Sequence, residues 1–200
     1  MATYQNSRYN IALPSGAGGA IVPIKTLTAS SSGTLEFVDG TSDVVLDNTY
    51  RTYVFKFVNC HPSGSNVHFQ VNFRDGGSSY DATKTTTNFH SVHNEADDDA
   101  EIGYSTGSDL AQSTAFQLLQ QEVGNDNDSS VSGEMWLFNP SSTTYTKHFI
   151  ATMQASYRAN RAHNTFVAGY CNVTAAIDAV QFKFASGNID SGTIKLYGIT

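Results

Sequence analysis

Cysteine is nearly absent from this chain: two residues, Cys60 and Cys171, in 200. Two thiols are too few for a disulfide scaffold. Both follow segments patterned as strands and could face each other, but spacing alone does not pair them, and both are expected to be reduced. Charge is also sparse, at 14% of residues. Lys and Arg number 11 against 18 Asp and Glu, for a net charge of -7. Without a basic stripe to hold phosphates, nucleic acid is excluded as an expected partner. No apolar run approaches membrane-spanning length, so no membrane insertion by a helix is expected. The opening MATYQNSRYN has neither the basic start nor the apolar stretch of a signal peptide, and synthesis in a cytoplasm is expected.

What the chain does have is strand and turn vocabulary. It carries 12 Phe, 10 Tyr and 16 Gly, with many Ser, Thr and Asn. Its length suits one domain, or one domain with an arm, and can bury roughly 70% of the unfolded surface. Residues 1–20 lack periodicity and include LPSGAGGA, so they are expected to form an extended N-terminal arm. Residues 21–200 are expected to form a single β-sandwich domain.

Within that domain, AIVPIKTLTA (20–29) is β-branched but interrupted by Pro23, which marks an edge strand or the first into a sheet. In TYVFKFVN (52–59) and NVHFQVNF (66–73), apolar residues alternate with others at period two. The turn-like CHPSGSN between them predicts a hairpin with an aromatic inner face. Further strand signals run through KTTTNFHSV (84–92), EIGYS (101–105), EMWLFN (134–139), YTKHFIATMQASY (145–157), TFVAGYCN (165–172), AVQFKFA (179–185) and GTIKLYGI (192–199). SDLAQSTAFQLLQQEV (108–123) reads as a short turn of helix and then a strand. Nine or ten mostly antiparallel strands predict an all-β, antiparallel sandwich of jelly-roll type. In such a fold the final strand is an interior member of a sheet.

Chemistry is harder to find. There is no nucleophile elbow and no phosphate-binding loop, and no catalytic, cofactor-binding or metal-ligating residue is assigned. His90 and His93, three apart with Glu95 nearby, would point to opposite faces of a strand, a poor arrangement for a shared metal. NDND (125–128) alternates oxygens like part of a calcium loop but lacks its glycine and distal glutamate. HNEADDDAE (93–101) reads as a solvated acidic loop. Trp136 is read as core, with a sugar platform as its alternative.

The segments GEMWLFNPSSTTYTKHF (133–149), FVAGYCNVTAAIDAVQFKFASGNID (166–190), SGTIKLYGI (191–199) and TYVFKFVNCHPSG (52–64) resemble virion structural proteins of tailed bacteriophages of aquatic bacteria, cyanobacteria among them. The resemblance spans about residues 30–200 and carries no catalytic motif. It implies a jelly-roll module in the virion, on the outside of the head or tail. The arm is then expected to dock on other capsid or tail proteins, and the subunits to associate as a homotrimer. The first functional expectation is therefore a non-enzymatic capsid decoration or head-associated subunit. The alternative is a tail-fibre tip binding a host surface glycan through loops 74–82, 93–100 and 123–132. A glycan depolymerase, needing two carboxylates in one cleft, ranks third.

Overall fold

Period-two alternation becomes twelve strands in the computed structural model, which describes residues 21–157 and 160–200, with only the backbone of Tyr157. The expected arm over residues 1–20 lies outside the described residues. The strands are β1 (Ile21–Thr28), β2 (Leu35–Val38), β3 (Thr52–Pro62), β4 (Val67–Arg74), β5 (Lys84–Asn94), β6 (Ala100–Tyr104), β7 (Gln117–Val123), β8 (Val131–Phe138), β9 (Lys147–Tyr157), β10 (Arg161–Cys171), β11 (Ala179–Phe184) and β12 (Ile189–Ile199). Every pairing is antiparallel.

The pairs β1:β12, β2:β11, β3:β8 and β4:β7 are those of a hairpin wound into a jelly roll. They form two layers, β1-β12-β3-β8 over β2-β11-β4-β7. Two hairpins are inserted into this plan, β5–β6 between β4 and β7, and β9–β10 between β8 and β11. Both extend the first layer, which continues β8-β9-β10-β5-β6. One layer therefore has eight strands and the other four, and a single backbone pair, Val123 with Tyr157, links them.

The aromatic positions of the alternating segments meet between the layers. Phe55 and Phe57 of β3 pack edge-on against Phe182 of β11, at ring-centroid distances of 5.3 and 5.0 Å. Phe69 of β4 meets Phe57 at 5.5 Å, and Phe37 of β2 meets Phe55 at 5.3 Å. Edge-to-face pairs of this kind add to the stabilisation from buried area. β12 lies between β1 and β3 with Ile194 and Leu196 fully buried, so the last strand is interior, as the sequence predicts. Pro23 lies on β1, which among the described residues pairs on one side only, and a bulge follows it.

Three sequence expectations need correction. β3 and β4 are not a hairpin: they share no hydrogen bonds, and the chain crosses from one layer to the other between them. Their aromatic faces meet across the sandwich instead of side by side. Residues 108–116 contain no helical turn; this stretch runs along the edge of β5, with Lys84 and Ser113 bridged and the Thr86 N–H donating to the Leu110 carbonyl. Trp136 is half-buried on the outer face of β8, because Met135 and Leu137 take the inner positions; its Nε1 donates to Glu134 Oε1 at 2.9 Å.

Candidate functional site

The two insertions build three chemically different surfaces. The first is a cleft of about 750 Å³ at one end of the extension. It forms where the loop after β5 meets the loop before β8, beside the ends of β9 and β10. Two sequence features far apart in the chain, HNEADDDAE and NDND, come together here. Glu95, Asp97, Asp126 and Asp128 line it with Ser130 and Asn160.

The loop after β5 is shaped by Asn94. Its Oδ1 accepts from the N–H groups of Asp98 (3.2 Å) and Asp99 (3.1 Å), and its Nδ2 donates to Asp98 Oδ1 at 2.5 Å. That side-chain turn leaves Asp97 in the left-handed region, φ 58°, which Asp tolerates better than most residues. Arg161 holds Asp99 at 2.5 Å, which ties the loop to β10. The opposite wall is fixed by His61, whose Nδ1–H donates to the Ser129 carbonyl at 2.6 Å. Carboxylates, amides and hydroxyls on these walls can meet a polyhydroxylated ligand by many directional hydrogen bonds. Loop 74–82, the third glycan candidate, lies elsewhere: Tyr80 bonds Glu36 beside β2.

His90 and His93 point to opposite faces of β5, as their spacing predicts. His93 is exposed and bonds Asp97 at 3.1 Å. His90 faces inward, its ring across Gly103 of β6, with Ser105 Oγ 2.7 Å from Nδ1 and Glu101 Oε1 3.0 Å from Nε2. This serine–histidine–carboxylate line resembles nucleophile activation in outline. The Ser105 hydroxyl, however, also accepts from Gln121 Nε2 at 3.2 Å, so it is engaged on both sides. The geometry serves to fasten β6 and the following loop to β5 and β7. Among the described residues, no three of His, Cys, Asp and Glu are placed to hold a metal ion.

The second surface is internal: beside the apolar Phe149, Met153 and Val167, polar side chains join the extension to the sandwich. Lys84, Asn88, Gln117, Gln120, Lys147 and Thr165 are all fully buried. Lys84 Nζ donates to Asn72 Oδ1 (2.6 Å) and the Ala82 carbonyl (2.7 Å), and burial lowers its pKa to about 8. Lys147 Nζ donates to the carbonyls of Val173 and Ala175. Cys171 is the cross-strand partner of both lysines, and burial pushes its thiol up to about 12. Both cysteines are free and buried. Thr86 donates to Gln117 Oε1 at 2.5 Å, and Thr165 to Gln120 Oε1 at 3.1 Å. His163 packs edge-on to His90, 5.2 Å between ring centroids, and burial lowers its pKa to about 4.

The third surface is the outer face of the extension. Phe89 and Phe166 stack at 4.8 Å in neighbouring strands. Around them Ile102 is 83% exposed, Tyr104 53% and Ile150 49%. Sequence reading missed this face because each strand contributes only one or two apolar residues among Thr, Ser and Asn. The signal was there in Phe89 and Phe166, out of phase with the buried residues of their own strands. No protein-family model, curated protein or solved structure matches the chain.

Proposed function

We propose that this protein is a non-enzymatic structural subunit of a bacteriophage particle, attached to the outside of the head. One observation carries this reading: four of the twelve strands lie outside the jelly roll and present an outer face with Phe89, Ile102, Tyr104 and Ile150 exposed and Phe166 half-buried in its stack with Phe89. Contiguous apolar surface of this kind on a β-module marks a place where another protein sits. The resemblance of residues 30–200 to virion structural proteins supplies the setting, and the 1–20 segment supplies a further attachment. The test is a density gradient of intact particles. The chain is expected to band with heads at constant stoichiometry, and the Phe166→Glu variant to be lost from them. A chain found only in the soluble fraction overturns the reading.

A second reading, a tail-fibre tip that binds a host surface glycan, is favoured by the cleft between the 94–99 and 124–130 loops. Its test is a glycan array probed with the native chain and with an Asp126→Ala/Asp128→Ala variant. Silence with the native chain, or binding untouched in the variant, removes it.

A further inference from the structure

The described sheets end in four strand edges, and three of them are blocked. β1 has Pro23, which has no N–H to offer, then a bulge and Lys25. β2 has only four residues, and its Glu36 is held by Thr34, Tyr80 and Gln181. β7 meets β9 at Val123, and its Leu118 carbonyl accepts side-chain amides from Asn88 and Gln117. β6, Ala100–Tyr104, has no proline, lysine, arginine or bulge, and no described residue pairs with its outer side. Its central residue, Ile102, is 83% exposed. Its one charge, Glu101, bonds His90 on the inner face, and the outward backbone groups, unpaired among the described residues, are a template for another strand.

We propose that β6 pairs with β6 of a second copy of this chain, antiparallel about a two-fold axis at Ile102, so that the eight-stranded layer runs on across two molecules. Register parity supports this arrangement. The Ser105 N–H donates to the Asn88 carbonyl at 2.8 Å, and Gly103 is paired with His90 and Glu101 with Val92. Hydrogen-bonded pairs recur every second residue in an antiparallel ladder, so residues 101, 103 and 105 direct their backbone groups to β5. Ala100, Ile102 and Tyr104 therefore direct theirs outward. A two-fold at Ile102 opposes Ile102 to Ile102 and Ala100 to Tyr104, and each of these is a pair of outward-directed residues.

Side chains agree with the same axis. On the outer face Ile102 meets its own copy, which covers the most exposed large apolar residue among the described residues and joins the two Phe89–Phe166 patches. On the inner face Glu101 falls opposite the partner's Gly103. The only charge on β6 thus faces a residue with no side chain, next to the partner's His90, and never its own copy. The inference stands independently of any role in a particle.

The experiment is sedimentation equilibrium of the full chain, with two variants. The native protein is expected to be a dimer. Ile102→Pro removes an N–H that no bond within the subunit uses. It is expected to weaken association by about thirty-fold, for two lost backbone bonds per dimer, with the unfolding transition unchanged at a dilution where both proteins are monomers. Ile102→Cys is expected to give a covalent dimer on oxidation, because the axis passes between the two sulfurs; the buried Cys60 and Cys171 do not compete. Phe89→Cys, on the next strand, is expected not to link. A monomer, a trimer unaffected by Ile102→Pro, or an Ile102→Cys chain that stays monomeric on oxidation overturns the proposal. So does loss of association on deleting residues 1–20, which would assign this edge to that segment.

Discussion

Phe182 shows how much of the core depends on one side chain. Its ring touches those of Phe37, Phe55, Phe57 and Phe69, from β2, β3 and β4, so it ties both layers together. Phe182→Ala is expected to destabilise the fold by about 3–5 kcal/mol, since the rings around it are held by their own strands and cannot close the cavity. A shift of the urea midpoint at constant slope measures this. His163 makes a different kind of contribution. It is 3% exposed and faces His90, Arg161, Glu122 and Glu101, and its pKa of about 4 lies below the ordinary 6.5. The unfolded chain therefore takes up this proton at a higher pH than the folded one. Stability is complete above pH 6.5 and falls as the pH drops towards 4, by about 3 kcal/mol from this group. Urea midpoints at pH 7, 5 and 4 are expected to fall more steeply for the native chain than for His163→Leu.

At the scale of elements, glycine fixes the register of β12. Gly192 has φ 110°, and a Cβ there would lie 2.4 Å from the Asn59 carbonyl oxygen and 2.7 Å from Cys60 Cα. It sits in the bulge that lets β12 stay in phase with β3 after Phe57. Gly192→Ala is expected to cost about 2 kcal/mol or more, through backbone strain and displaced backbone atoms together. Thermal unfolding of the variant checks this.

The elements also show what sequence could reveal. Alternation located the strands and the inner faces of β3, β4, β11 and β12, because a half-buried strand records burial residue by residue. It could not say which strand lies beside which. A four-residue connection such as 63–66 closes a hairpin or crosses between layers, and Phe57 meets Phe69 in either case. The buried polar layer was also hidden. Lys84, Thr86 and Asn88 alternate like a solvated face, and only its packing on β4 and β7, through Asn72, Gln117 and the Leu118 carbonyl, makes that face internal. The cleft was half legible: both acidic loops stood out, but nothing local said that they would meet.

For the whole molecule, the two halves of the extended layer are held by unlike forces. The jelly roll and the adjoining β9 rest on apolar burial, with Phe149 and Met153 in the core, whereas the inner face of β5 rests on hydrogen bonds whose net contributions are each about 1 kcal/mol. Opening is therefore expected to begin at β5 and β6 while β3 and β12 stay closed. Native-state hydrogen exchange is the measurement: amides of 84–94 should exchange well before those of 52–57 and 194–198. Equal protection throughout would mean that the polar layer is as cohesive as the aromatic one.

The pairing of Ile21 with Ile199 has a practical corollary. A fluorophore placed after Thr200 would sit alongside the point from which residues 1–20 depart, and would report on whatever those residues touch. The free border at Ile102 is seven strand spacings away, roughly 34 Å across a flat sheet. The two contacts can therefore be watched separately, with one dye at each side of the same molecule.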